Sequence, residues 1–285
     1  MRSHVLYLHA PQWAGLLAQP GELLGSAQFQ EVKNIARNRA GFFASPHGTV
    51  FIKRFAPGSW VEGLLERIRG SRAARSLRGA KLLTDAGFLV PAPIAACEEI
   101  AAGAVRTSWM FSEALIGARV FSRFIERGHA PAPQEKRRRR EALSAVAVCV
   151  RRLHDAGLFT SDLQETNLML EEAGGELRIH FVDLDGFRRL RRVSWRRRRR
   201  NLVQLDRSVG RFMSRAERLR FLYTYLGAGW NRAAVRKLVA HLARERMRKD
   251  REFARRRARR DANSGGHFAR ARGSDTIAAD FSQPM

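Results

Sequence analysis

Between Leu153 and Phe187 the chain reads LHDAGLFTSDLQETNLMLEEAGGELRIHFVDLDGF, and no other segment restricts the fold as much. Leu143, Val146, Ala147, Val150 and Leu153 recur at helical spacing, and Gly157 stands where a helix commonly ends. A loop over residues 160–167 follows, then the apolar run Leu168, Met169, Leu170, the pair Gly174-Gly175, and a strand over 177–184. Two glycines between apolar runs predict a tight hairpin. The segment therefore reads as helix, loop and hairpin. Asp162 lies in the loop, Asn167 lies five positions later at the opening of the first strand, and Asp183 lies at the end of the second.

A carboxylate, an amide and a second carboxylate in this order form the set that phosphoryl transfer uses. One carboxylate orients the attacking hydroxyl and accepts its proton, while the amide and the other carboxylate hold Mg²⁺ against the nucleotide phosphates. Asp-x4-Asn followed by a strand ending in Asp is the spacing of kinase catalytic and metal loops. Asp and Asn also cap ordinary turns. Three pieces in the right order, after His154-Asp155-Ala156-Gly157 and before Val182-Asp183-Leu184-Asp185, favour the chemical reading. His154 reads as a packing or capping residue at its helix end.

Upstream, residues 49–55 (TVFIKRF) are rich in β-branched and aromatic types and follow the turn signal Ser45-Pro46-His47-Gly48, which predicts a strand carrying Lys53. Residues 59–86 read as one or two helices, weakened by Gly63, Gly70 and Gly79. Val90-Pro91-Ala92-Pro93 breaks the helical pattern and leads into a strand. A further strand is expected over 105–111 and a connector over 112–117. Downstream, Val235, Leu238, Val239 and Leu242 mark one face of another helix.

Taken together, these pieces resemble the lipopolysaccharide kinase family, whose members phosphorylate Kdo or heptose of the inner core and share the protein-kinase-like fold. Ile52-Lys53-Arg54-Phe55 resembles the strand with the ATP-anchoring lysine. Residues 87–94 (GFLVPAPI) resemble the family's G-I-P-x-P stretch, and residues 201–208 (NLVQLDRS) its N-L-x-x-L-x-R-S helix. The resemblance implies an α+β, two-lobed fold: a strand-rich N-lobe over 1–115, a helical C-lobe with the catalytic and metal loops over 116–249, and a basic tail over 250–285 fraying into disorder. It implies ATP and Mg²⁺ as cofactors, with Lys53 on the ATP phosphates, Asp162 as catalytic base and Asn167 and Asp183 as Mg²⁺ ligands. Asp185 is a second candidate ligand, two residues along the same expected strand face. The chain departs from kinases of this fold at Thr160, where His is usual, in having no acid from Arg72 to Lys81, and in lacking a GxGxxG loop before Lys53. Glu62 or Glu66 is the remaining candidate to partner Lys53.

Charge sets the expected partners. The formal net charge is +26, which attracts polyanions without choosing among them. Residues 136–140 are a cationic run, and residues 188–200 are denser still. Under the family resemblance the acceptor is lipopolysaccharide or its lipid A-core, and residues 188–200 would dock on an anionic membrane surface, with Trp195 and Trp230 dipping into the interface. No helix-turn-helix, zinc-finger or RNA-binding aromatic signature accompanies the charge, so nucleic acid is not an expected partner. Cys97 and Cys149 read as small buried apolar residues. No apolar run reaches the ~20 residues of a membrane-spanning helix, and no signal-peptide pattern opens the chain. The expected location is therefore cytoplasmic, peripheral at the inner membrane. A small-molecule phosphotransferase of the same fold, a pseudokinase and a basic binding protein are the alternative readings.

Overall fold

The computed structural model describes residues 2–35, 37–126, 132–228 and 230–263. Tertiary contacts divide the chain into two units, residues 1–120 with 156–161 and 167–191, and residues 121–155 with 162–166 and 192–285. Of the tail expected to fray over 250–285, residues up to Asn263 continue a helix, and the rest lies outside the described residues.

The first unit is built on strands β1 (Arg2–Leu8), β2 (Phe29–Ile35), β3 (Asn38–Ser45), β4 (Gly48–Phe55), β5 (Pro93–Ala101) and β6 (Ala104–Glu113). They form one antiparallel sheet in the order β1-β5-β6-β4-β3-β2. Short helices α1 (Gly15–Ala18) and α2 (Pro20–Leu23) close one face, where Leu16, Leu17, Val50, Ile52, Trp109 and Phe111 are buried together. On the other face Phe55 and Met110 pack with Ala73. Strand alternation thus sends Ile52 into the first cluster and leaves Lys53 on the same side as Phe55.

Helices α3 (Trp60–Arg69) and α4 (Arg72–Thr84) match the expected helical region. Ser59 caps α3 by accepting from the Glu62 N–H, and Ser71 caps α4 by accepting from the Ala74 N–H. Gly63 and Gly79 count against these helices in sequence, yet tertiary contact explains both. A Cβ on Gly63 would collide with the Val105 carbonyl oxygen, and one on Gly79 with that of Leu184. The helices trade propensity for close approach to their neighbours.

The same unit holds β7 (Arg119–Val120), β8 (Leu158–Thr160), β9 (Leu168–Ala173), β10 (Glu176–Phe181) and β11 (Phe187–Arg189). β9 and β10 form the expected hairpin, with Gly174 and Gly175 at φ 60° and 81°, the left-handed pair that a two-residue turn requires. β8 pairs with β11.

The second unit is helical among its described residues: α5 (Phe121–Ile125), α6 (Pro133–Asp155), α7 (Trp195–Val209), α8 (Arg215–Leu226) and α9 (Arg232–Asn263). α6 packs on α8, and α7 on α9. A capping box of Ser214 and Glu217 opens α8. Arg139 of α6 bonds both oxygens of Glu217, at 2.5 and 3.2 Å, and also donates to the Phe212 carbonyl. Burial alone would raise the Glu217 pKa, but hydrogen bonds from Arg139 and Ser214 outweigh it and bring the group down to about 2. Arg139 is therefore a structural cation inside the cationic run 136–140. Cys97 is buried and Cys149 half-buried, and burial pushes both thiols up to about 12, which suits inert packing residues.

Candidate active site

Lys53 and Asp183 are 130 residues apart in sequence and meet in the first unit. Lys53 Nζ lies 3.4 Å from Asp183 Oδ1, with the two side chains 24% and 35% exposed. β4 supplies the lysine from the interior of its sheet, where register sets it opposite Ala40 and Met110. The neighbours Ile52 and Phe55 are buried, so the strand cannot slip without exposing them.

Asp183 does not end a strand as the sequence suggests. β10 stops at Phe181, and Asp183 adopts φ 60°, ψ 65°, a left-handed conformation. Among the described residues other than glycine only Ala102 shares a positive φ. Such a backbone costs about 1 kcal/mol and persists where the surroundings fix it. Here they do. Phe181 and Phe187 bracket the turn, are buried, and meet edge to face at 5.5 Å. The Val182 N–H donates to the Asn167 carbonyl at 3.0 Å, and the Ser161 N–H to the Gly186 carbonyl at 3.3 Å. Leu184 is buried against α4 at Gly79.

Asp185 is likewise not on a strand face. It lies in the one-turn helix Leu184–Gly186, and its Oδ2 accepts from Arg72 Nε at 2.8 Å. The Arg72 guanidinium also covers the Phe55 ring at 4.5 Å. Because a 3-10 turn does not alternate sides as a strand does, two aspartates two residues apart meet different cations. Arg72 opens α4, an end where a cation opposes the helix dipole and where no acid stands in the first turn. That misplaced charge is the sequence signal that could have pointed to Arg72 as the partner of Asp185.

Glu62 and Glu66 do not partner Lys53. The Glu62 carboxylate accepts from the Gly58 N–H, and Glu66 pairs with Arg75 at 3.4 Å. Burial raises the Glu66 pKa despite Arg75. Asn167 ends a short helical turn, half-buried, and leads into β9.

Asp162 belongs to the second unit, in the stretch 162–166, where it is exposed and Gln164 Nε2 donates to its Oδ1. The stretch is held by α7: the Glu165 N–H donates to Ser208 Oγ at 3.1 Å, and that hydroxyl donates to the Leu205 carbonyl at 3.0 Å. The other polar members of the 201–208 motif are also braces. Asn201 Oδ1 lies 3.1 Å from His154 Nε2, and its amide donates to Gln204. Asp206 pairs with Arg218 and Arg246, and Arg207 with Asp250.

His154 packs at the end of its helix, as expected from sequence. Its Nδ1 lies 2.8 Å from the Tyr225 hydroxyl, and burial pushes its pKa down to about 4 against the opposing Asn201 contact. With Asn201 Oδ1 as acceptor, Nε2 carries the proton and Nδ1 accepts from Tyr225. No group of three or more His, Cys, Asp or Glu that could hold a metal occurs among the described residues. Mg²⁺ asks for less, being held by one or two carboxylates with substrate phosphates and water. Asp183 supplies a carboxylate and Asn167 a side-chain carbonyl, hard oxygen donors that fit the ion.

A strand-borne lysine paired with an aspartate in a strained turn after a hairpin, in a chain of strand-rich and helical parts, fits the class of kinases. The sequence profile described as the lipopolysaccharide kinase (Kdo/WaaP) family matches residues 63–225, more than half of the chain. The chain belongs to that family. Among solved structures it is similar to WaaP in complex with acyl carrier protein, with 22% identity and a TM-score of 0.62, covering 87% of this chain and 99% of that one. At that identity the likeness bears on the fold. No curated protein matches the chain. No described helix is long and apolar enough to cross a membrane.

Proposed function

We propose that the chain transfers the γ-phosphoryl group of ATP, with Mg²⁺, to a Kdo or heptose hydroxyl of the lipopolysaccharide inner core. The Lys53–Asp183 pair at 3.4 Å carries this reading, because a mobile ammonium and a fixed carboxylate answer the two charges of a metal nucleotide. Mg²⁺ supplies neutralisation of charge on the phosphate oxygens. Asp183 and Asn167 would hold that ion, and Lys53 would exchange its contact with Asp183 for nucleotide phosphate. Asp162, exposed and braced through Ser208, would orient the sugar hydroxyl and accept its proton. Asp185, the second metal candidate in sequence, is better assigned to holding the turn through Arg72.

A lipid-linked acceptor puts the chain at the cytoplasmic face of the inner membrane as a peripheral protein. The exposed cations of residues 188–200 support attachment to anionic lipid, on the order of 1 kcal/mol for each cation at the surface. Arg198 and Arg199 fall outside that role. Arg198 pairs with Asp155 at 2.8 Å and donates to the His154 carbonyl, while Arg199 bonds His241.

The test is transfer from γ-labelled ATP with Mg²⁺ to purified inner-core lipopolysaccharide, by wild type and by Asp162→Ala. The proposal expects label in the core with wild type and a drop of about 10²- to 10⁴-fold in the variant. Because the solved WaaP structure holds an acyl carrier protein, the assay is run with and without one. Labelling of small soluble alcohols but not of core would move the chain to the small-molecule phosphotransferases.

A further inference from the structure

Trp195 and Trp230 lie 35 positions apart, and their indoles stack in the second unit with centroids 5.3 Å apart and planes inclined by 24°. Trp230 is 40% exposed and Trp195 half-buried, so the pair is part of the surface. A stack at a protein's surface leaves apolar area in water that packing does not require. Trp195 is the first residue of α7, and Trp230 stands just before α9.

The surrounding sequence is one-signed. No acid occurs between Asp185 and Asp206, nor between Glu217 and Glu245, and each tryptophan sits inside one of these stretches. Arg192, Arg196 and Arg200 are exposed, as are Arg232 and Arg236 on the α9 side. Arg196 and Arg200, one turn apart, share a side of α7. Arginines at the start of a helix oppose its dipole, and the first turn of α7 has neither an acid nor a side-chain cap from Ser194. The local arrangement works against the helix, and an anion outside it would relieve the strain.

We propose that the Trp195–Trp230 stack, with exposed Arg192, Arg196 and Arg200, is the surface that seats the chain on anionic lipid headgroups. The proposal sharpens the peripheral reading above and rests on it. Indoles settle at the headgroup level of a bilayer, and arginines beside them meet the phosphates there. A single-stranded nucleic acid would instead stack its bases on open indole faces, and here the two faces that meet are already occupied by each other. Residues 188–200 thus divide by role. Arg198 and Arg199 hold helices together, while Arg192, Arg196 and Arg200 face outward with the tryptophans.

The full chain is sedimented with vesicles of phosphatidylcholine alone and with one part in four phosphatidylglycerol, without nucleotide or sugar, so that failure of the kinase reading would not alter the result. Binding is expected on the anionic vesicles, with a blue shift of indole emission. The combined change Arg192→Ser, Arg196→Ser, Arg200→Ser should weaken binding about 100-fold, and Trp230→Ala about tenfold. The conservative pair Trp195→Phe with Trp230→Phe keeps an aromatic stack and should abolish the blue shift, while the melting temperature guards against misfolding. Equal binding to both vesicle types overturns the proposal. So does wild-type affinity in the arginine variant, an unchanged emission shift in the phenylalanine variant, or a preference for oligonucleotide over vesicles.

Discussion

At Asp183 and Asp185 two carboxylates meet Lys53 and Arg72 one to one, whereas the start of α7 carries arginines from 196 to 200 in a stretch with no acid at all. Both regions concentrate charge. In the first the charge is divided into pairs, each half shielded from water and each fixed by strand register, helix start or turn. In the second, Arg198 and Arg199 hold helices together, while exposed Arg196 and Arg200 make a field rather than a geometry. Paired charge can place a reacting atom, since position within about half an ångström decides such chemistry. Unpaired charge of one sign attracts a surface without choosing a point on it.

The contrast is broken most severely at Asp183. Asp183→Ala removes the carboxylate proposed to hold Mg²⁺ and leaves Lys53 without the partner it now meets. Transfer to the core should fall by about 10³-fold or more. Substituting Arg196 on the other side of the comparison should change vesicle binding and spare turnover on a detergent-dispersed acceptor. If Asp183→Ala retained a tenth of wild-type activity, the turn would not be the metal site and the comparison would lose its first half.

Arg72 tests whether the second pair of that turn is chemical or architectural. It touches Asp185 and Phe55 and lies within no hydrogen bond of Asp183. Arg72→Ala should cost about 100-fold in kcat, in the range found for residues that orient metal ligands, with the KM for ATP rising as the turn loosens. Arg72→Lys keeps the charge but cannot both bond Asp185 through a planar group and cover the ring, so rescue should be partial. A merely structural role would lower the melting temperature without changing the Mg²⁺ concentration needed for half-maximal rate. A shift in that concentration for Arg72→Ala at unchanged melting temperature is the result that assigns positioning.

Much of this site is legible in the sequence. The hairpin, its Gly174-Gly175 turn, the lysine strand and the order of Asp162, Asn167 and Asp183 all follow from period, turn chemistry and spacing, which are local properties. What escapes is tertiary. The left-handed backbone of Asp183 depends on Phe181, Phe187 and Leu184 packing around it, and nothing in Val-Asp-Leu-Asp announces that. Kinase helices usually offer the lysine an acid, whereas Glu62 and Glu66 turn elsewhere and α4 offers Arg72 to Asp185. The arginine runs mislead for a related reason: a run shows its charge, but helix packing decides that Arg139, Arg198 and Arg199 turn inward. The 201–208 motif is visible as a pattern, but its work as a brace for His154 and the 162–166 stretch needs coordinates.

The smallest effect is one of stability, and it separates inward from outward charge by pH. His154 is 1% exposed and neutral, with its pKa pushed from 6.5 to about 4. The unfolded chain takes up that proton first, so the buried histidine contributes most above pH 6.5 and its contribution declines as pH falls from 6.5 towards 4. Between pH 7 and pH 5 this amounts to roughly 2 kcal/mol of unfolding free energy. Glu217 acts lower. Its folded pKa of about 2 stabilises the chain above its ordinary value of 4.5, and that contribution is lost as pH falls from there through 2. Denaturant titrations across pH should therefore show two separate declines. His154→Gln keeps a donor for Asn201 and should flatten the upper one, at some constant cost from the changed shape, while Glu217→Gln should flatten only the lower. Substituting the outward arginines should move neither. An upper decline unchanged in His154→Gln would place the titrating group elsewhere and remove the histidine from the brace that α7 gives to the end of α6.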